Sequence, residues 1–219
     1  MKKVLIAVMI VATSFCIIFS NVWADDLDDK KITIGTRGGI FLGDGDPTND
    51  MTMFGVYGRY KLNKKWNIGL SVDHLFGDFE EPYQKFGITS LKVNDASMTN
   101  TIISIWGERE FMPGSRSVQK WRPYIAGGLG FGIVDGDDVQ GSTSSGGQYN
   151  LRFDSGTEIV PALAGGVRYL LGSSWEIDLS LRYSYHMTDW GVTDSVSSKI
   201  GETDNYSTFG SYIGIGFRF

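Results

Sequence analysis

The chain has 219 residues, with 25 acidic against 20 basic side chains and a formal net charge of −5. That balance argues against nucleic acid as a partner. The single cysteine, Cys16, leaves no pair for a disulfide and no thiolate cluster for a metal. Glycine is abundant (29) and proline scarce (5), with no collagen-like repeat, which suits a fold of many strands and turns.

Lys2 and Lys3 open the chain, and 4–19 is almost wholly apolar. Val22 and Ala24 satisfy the small-residue rule before a cleavage site, so residues 1–24 read as a cleaved signal peptide and 25–219 as one domain. The apolar run is slightly short for a membrane-spanning helix. Bulky Phe15 before Cys16, and Ile17, Ile18 and Phe19 after it, argue against a lipid-anchored cysteine.

After a charged lead-in (25–31), a period of two begins, the mark of strands with unlike faces. In 32–42, Ile34, Ile40 and Leu42 oppose Thr33, Arg37 and Phe41; a polar loop, 43–50, follows. In 53–62, Phe54, Val56 and Tyr60 oppose Tyr57, Arg59 and Lys61. A tight turn at 63–65 leads to 66–76, where Trp66, Ile68 and Leu70 oppose Asn67, Ser71 and Asp73, with His74 on the apolar parity. A long polar section to about 97 follows, of which 86–93 has some strand character. In 99–111, Thr101, Ile103 and Ile105 oppose Asn100, Ser104, Trp106 and Glu108; Arg109 falls on the apolar parity near the end. A turn over 112–121 leads to 122–134, where Ile125, Leu129 and Phe131 oppose Arg122, Tyr124 and Ala126. A Gly/Ser/Asp loop spans 135–156. In 157–171, Ile159, Leu163 and Tyr169 oppose Glu158, Ala164 and Arg168, and Pro161 removes a ladder donor, so a bulge or distortion is expected there. A tight turn at 172–174 precedes the strand from 175 to about 186, in which Trp175, Leu179 and Leu181 oppose Glu176, Asp178, Arg182 and His186. A polar loop (187–206) leads to the final strand, 211–219, where Ile213, Ile215, Phe217 and Phe219 alternate with Gly214, Gly216 and Arg218.

These eight strands are about twice the average length. Each is long enough to cross a bilayer at a tilt, which takes about 9–11 residues. Long Asp-rich connections alternate with shorter turns, the pattern of barrels with long extracellular loops and short periplasmic turns. Large aromatics recur at strand ends on the apolar parity. Trp66, Trp121 and Trp175 start strands, while Phe111, Tyr169 and Phe219 end them. A girdle at the water–lipid boundary explains that sorting, because a Trp or Tyr ring is part apolar and part polar. The charged faces then point inward. The fold expected is all-β: an eight-stranded antiparallel up-and-down transmembrane β-barrel with a filled polar lumen. In that lumen Arg37, Arg59, Arg168 and Arg182 are expected to pair with Glu108, Glu158, Glu176 and Asp178. A one-residue slip would turn an Arg into lipid at about 2–4 kcal/mol. Eight strands leave a lumen that side chains fill, so the charges read as a plug and not a pore.

The segments WRPYIAGGLGFGIV (121–134), AGGVRYLL (164–171), WEIDLSLRYSY (175–185) and YIGIGFRF (212–219) resemble the small eight-stranded bacterial outer-membrane barrels, the group of the OmpA transmembrane domain, OmpX and opacity-type adhesins. The resemblance implies residence in the Gram-negative outer membrane, contact with its lipid and lipopolysaccharide, and no cofactor. It also implies that the barrel-assembly machinery reads the ending G-x-x-F-x-F, here Gly214, Phe217 and Phe219. Lipid A deacylases of similar shape carry a lipid-facing His-x-Ser. Here Thr188 stands where that Ser would be, and His186 has lumen parity.

Acid clusters at Asp44, Asp46 and Asp50, at Asp135, Asp137 and Asp138, and at Asp189, Asp194, Glu202 and Asp204 lack the spacing of a calcium loop and read as solvated. The glycines of 127–132 lie inside a strand, which excludes a phosphate loop. The expected function is structural and surface-interacting, through loops that meet an extracellular ligand or host surface. The alternatives are a lipid A-modifying enzyme using His186, and a soluble ligand-binding barrel.

Overall fold

The computed structural model describes residues 30–43, 48–63, 65–79, 97–111, 120–142, 148–194, 199–202 and 205–219. The proposed signal peptide, the 86–93 stretch and most of the 112–121 turn lie outside them. Ten strands follow in order: β1 (Ile32–Gly43), β2 (Thr48–Lys61), β3 (Trp66–Phe79), β4 (Ser97–Glu110), β5 (Trp121–Gly136), β6 (Val139–Ser142), β7 (Gln148–Leu171), β8 (Trp175–Asp194), β9 (Lys199–Glu202) and β10 (Tyr206–Arg218). Eight form the barrel. Each pairs antiparallel with its neighbours in the order β7-β5-β4-β3-β2-β1-β10-β8, and a β7–β8 ladder seals the ring. Closure removes every edge from the membrane region, where an unpaired backbone group has no water to bond.

Alternation sets inside from outside as expected. Leu70, Leu129, Leu179 and Ile213 are exposed on the exterior, and Leu163 is 67% exposed, while Arg37 and Arg182 are buried within. A continuous apolar exterior of this extent requires lipid around it. One end of the barrel is drawn tight by short turns. Gly172 takes a left-handed φ of 64° between β7 and β8, and Asn63 Oδ1 accepts the N–H groups of Lys65 and Trp66 at 2.9 and 3.0 Å. At this end Lys30 Nζ donates to Ser174 Oγ at 2.6 Å and to the Arg218 carbonyl at 3.1 Å, fastening the start of β1 to its neighbours.

One expectation for the other end is corrected. Residues 135–156 and 187–206 are not simply loops. β7 and β8 run on together past the barrel, with Leu151 opposite Asp194, and β6 and β9 pair onto their outer flanks. A four-stranded sheet, β6-β7-β8-β9, therefore stands above the barrel. The buried rings of Phe153 and Trp190 meet beneath it with centroids 5.2 Å apart. At Pro161 the expected disturbance takes the form of a local break in the ladder and not of a bulge. Pairing with β8 skips Val160 and Pro161 and then resumes in the same register. The missing N–H interrupts one ladder locally, while Leu129 still faces Pro161 on the β5 side. The register shift in β7 lies instead between Asp154 and Thr157, where the chain leaves the barrel.

Candidate functional site

The inner half of the lumen, nearer the tight turns, is an ion network. Arg168 of β7 donates from Nη2 to Glu108 Oε2 at 2.6 Å, from Nη1 to Glu110 Oε1 at 2.9 Å and from Nε to Asp178 Oδ2 at 3.2 Å. The planar five-donor fork of arginine lets one side chain hold three carboxylates in a fixed geometry. Its guanidinium lies 3.8 Å from the centroid of the Tyr124 ring, and the Tyr124 hydroxyl donates to Asp178 Oδ1 at 2.9 Å. Arg59 bonds Glu176, reaches Thr33 Oγ1 at 3.3 Å, and holds Nε 3.8 Å from Glu108 Oε2. Asn67 adds a bond to Glu110 Oε1 at 3.1 Å.

Above this layer, Asp73 of β3 receives two arginines. Arg37 approaches with two bonds, Nε at 2.9 Å and Nη2 at 2.6 Å, and Arg182 donates from Nη1 at 2.9 Å. Arg182 also stacks 4.8 Å over Trp106 and Arg37 4.8 Å over Tyr212. The expected partners are therefore revised. Arg37 and Arg182 share Asp73, not any of the four acids assigned to them, and Glu110 joins the inner network. Both acids have lumen parity, the signal that would have included them.

The outer half differs. Phe41, Met51, Met53, Leu75, Met98, Ile102, Val134 and Val160 all point inward and form one buried apolar cluster with Tyr206 and Tyr212. The lumen is filled, as expected, and polar over its inner half; its outer half is mostly apolar. Within that cluster lies a short polar chain. Glu158 bonds no arginine among the described residues. Its Oε1 is 2.6 Å from His186 Nδ1 and also takes the Asn100 amide, and the Tyr206 hydroxyl donates to Oε2 at 3.3 Å. His186 Nε2 lies 3.1 Å from Thr208 Oγ1, and its ring stacks on Tyr206 at 4.3 Å. His186 is 0% exposed and Thr208 1%. This is an acid–imidazole–hydroxyl order, but its hydroxyl comes from Thr208. Thr188, the sequence candidate, is half-buried and donates its N–H to Asn205 Oδ1 at 3.0 Å. His74, on the apolar parity, has Nδ1 2.9 Å from Thr101 Oγ1.

The aromatic girdle forms at the tight-turn end. Trp66, Phe111, Trp121 and Trp175 are exposed and Tyr169 is partly so. Trp121 packs on Tyr169 at 4.6 Å, and Phe217 contacts both Trp175 and Phe219 at 4.9 Å. The exposed bases Lys31, Lys65, Arg109 and Lys120 lie at this end, whereas the exposed acids Asp50, Asp135, Asp137, Asp138, Asp154 and Asp189 lie at the other, with Arg152 among them.

A sealed antiparallel cylinder with an apolar coat, an aromatic rim and charges within is a transmembrane β-barrel of the outer-membrane class. The chain belongs to the family described as "Outer membrane protein beta-barrel domain", which matches residues 17–219. Among solved structures it is similar to Neisserial surface protein A, at 13% identity and TM-score 0.50, covering 86% of this chain and 96% of that one. It is also similar to Ail, the attachment invasion locus protein of Yersinia pestis, at 17% identity and TM-score 0.48, covering 87% and 97%. The N-terminal β-barrel domain of Pseudomonas aeruginosa OprF gives 13% identity and TM-score 0.46, covering 87% and 100%. The likeness to Neisserial surface protein A speaks to fold alone. A search of curated proteins finds no match to the chain.

Proposed function

We propose that the chain is a structural, surface-presenting protein of the outer membrane and not a diffusion pore. The observation that carries this reading is the packed lumen. The space left among Arg37, Tyr57, Glu108, Asp178 and Tyr212 is about 20 Å³, room for about one water. Ions have no continuous aqueous path through an Arg–carboxylate network capped by apolar side chains. Purified chain in planar lipid bilayers should give no steady conductance; a stable open level would overturn the reading.

The presenting part is the β6-β7-β8-β9 sheet. It is anchored by two strands continuous with the barrel and borders the acidic end, so it suits an extracellular ligand or host surface with cationic groups. Replacing 137–154 by a short turn should abolish cell-surface binding while leaving the barrel folded. Contact with lipopolysaccharide around the outer rim, export through the cleaved 1–24 segment, and recognition of Gly214, Phe217 and Phe219 by the assembly machinery belong to the same proposal. Loss of the Phe217 and Phe219 rings should lower the yield of folded barrel in cells.

On this reading the Glu158–His186–Thr208 chain satisfies buried polar groups and performs no catalysis. Its complete burial under Tyr206 supports that. Mass spectrometry of lipid A from cells with and without the gene tests it. Altered acyl chains would revive the enzyme reading, with Thr208 in place of Thr188.

A further inference from the structure

Among the described residues below the four-stranded sheet, Arg109 is the one exposed cation on the outward-facing row of a barrel strand. It stands opposite Trp66 on β3 and Ile125 on β5. Its guanidinium lies 5.8 Å from the Trp66 ring and 5.5 Å from that of Phe111. The neighbouring acids, Glu108 and Glu110, turn inward to Arg168. No carboxylate among the described residues pairs with Arg109 from the lipid side.

Two residues along the same row, Gly107 pairs with Gly127. Neither carries a side chain, so the apolar coat is cut by a groove of about 510 Å³ between Trp66, Ile68, Ile105 and Leu129. The groove is open. A Cβ on Gly107 would meet nothing nearer than the Gly127 carbonyl at 4.0 Å, and one on Gly127 nothing nearer than Leu163 Cδ2 at 3.7 Å. A cation held between two rings at the girdle, next to an apolar trough running toward the midplane, has the shape and charge order of a phospholipid.

We propose that Arg109 and the Gly107–Gly127 groove form a binding site for an anionic phospholipid of the periplasmic leaflet. The guanidinium takes the headgroup phosphate, and the groove takes the first part of an acyl chain. The girdle puts Arg109 at headgroup depth, where a long basic side chain can reach the interface. A guanidinium matches two phosphate oxygens, and the exposed Lys65, Lys31 and Lys120 at the same end enrich anionic lipid around it. The site rests on the membrane placement of the barrel and not on its surface role, so a failed adhesion assay leaves it intact.

Native mass spectrometry of the detergent-purified chain, with dioleoyl phosphatidylglycerol or phosphatidylcholine added, tests it. The parent chain should retain phosphatidylglycerol over phosphatidylcholine, and Arg109→Gln should reduce that preference about fivefold. Arg109→Lys should keep most of it. Gly107→Leu should weaken retention of both lipids while preserving their ratio, because it fills the groove and spares the cation. Heat-modifiable gel mobility identifies which variants are folded. Equal retention of the two lipids by the parent chain, or an unchanged preference in folded Arg109→Gln, would overturn the proposal.

Discussion

In the inner half of the lumen, Arg59 and Arg168 are each shared among designated acids from several strands. In the outer half, Met51, Met53, Met98 and Leu75 fill the same cross-section with no directional bond. The two halves respond differently to error. An ion network with fixed partners tolerates one register, since breaking it leaves a buried charge without compensation. An apolar cluster rich in methionine repacks, because thioether chains are unbranched and adaptable. The half that must fix the barrel is therefore specified, and the half beneath the four-stranded sheet can absorb changes in what it supports.

That contrast can be broken by substitution, read by urea unfolding of the chain in lipid vesicles. The largest effect is expected in the inner half. Arg168→Met should lose about 3–5 kcal/mol, because Glu108, Glu110 and Asp178 keep their charges and lose their shared cation. In the outer half Leu75→Ala should lose about 2–5 kcal/mol through its cavity. Leu75→Met should lose under about 1.5 kcal/mol, and that tolerance is the sharper test of adaptability. A Leu75→Met loss equal to that of Arg168→Met would erase the distinction. His186→Ala, the polar exception in the apolar half, should lose about 1–3 kcal/mol by taking a partner from the Glu158 carboxylate, with lipid A unchanged. The smallest effect belongs to the four-stranded sheet. Thr193→Val removes an exposed 2.5 Å bond to Asp154 and should change stability by no more than about 0.5 kcal/mol.

Much of this was legible in the chain. Parity separated Arg37, Arg59, Arg168 and Arg182 from Leu70, Leu129 and Leu179, and aromatic spacing marked one rim. Partner identity was not legible. Parity gives the face of a residue, and distance from a turn gives its depth, but neither gives its bearing around the ring. Arg182 on β8 reaches Asp73 on β3 across the lumen, a contact visible only once the cross-section exists. The apolar outer plug was partly legible: Phe41 was placed on the Arg37 face, and Leu75, Ile102 and Val160 share inward parity with Asp73, Asn100 and Glu158. The four-stranded sheet was hidden for another reason. Beyond the bilayer no face must be apolar, so the period of two fades although the hydrogen-bonded ladder continues.

The seam of the cylinder joins β1 to β10, from Thr33 opposite Arg218 to Gly43 opposite Thr208. Order of synthesis and order of completion therefore cannot coincide. The first strand made waits, half its hydrogen bonds unmet, until the tenth emerges. Such distant pairing is intrinsically slow and leaves sticky edges open in the meantime. A ribosome that stops short of β10 yields a sheet that cannot be sealed.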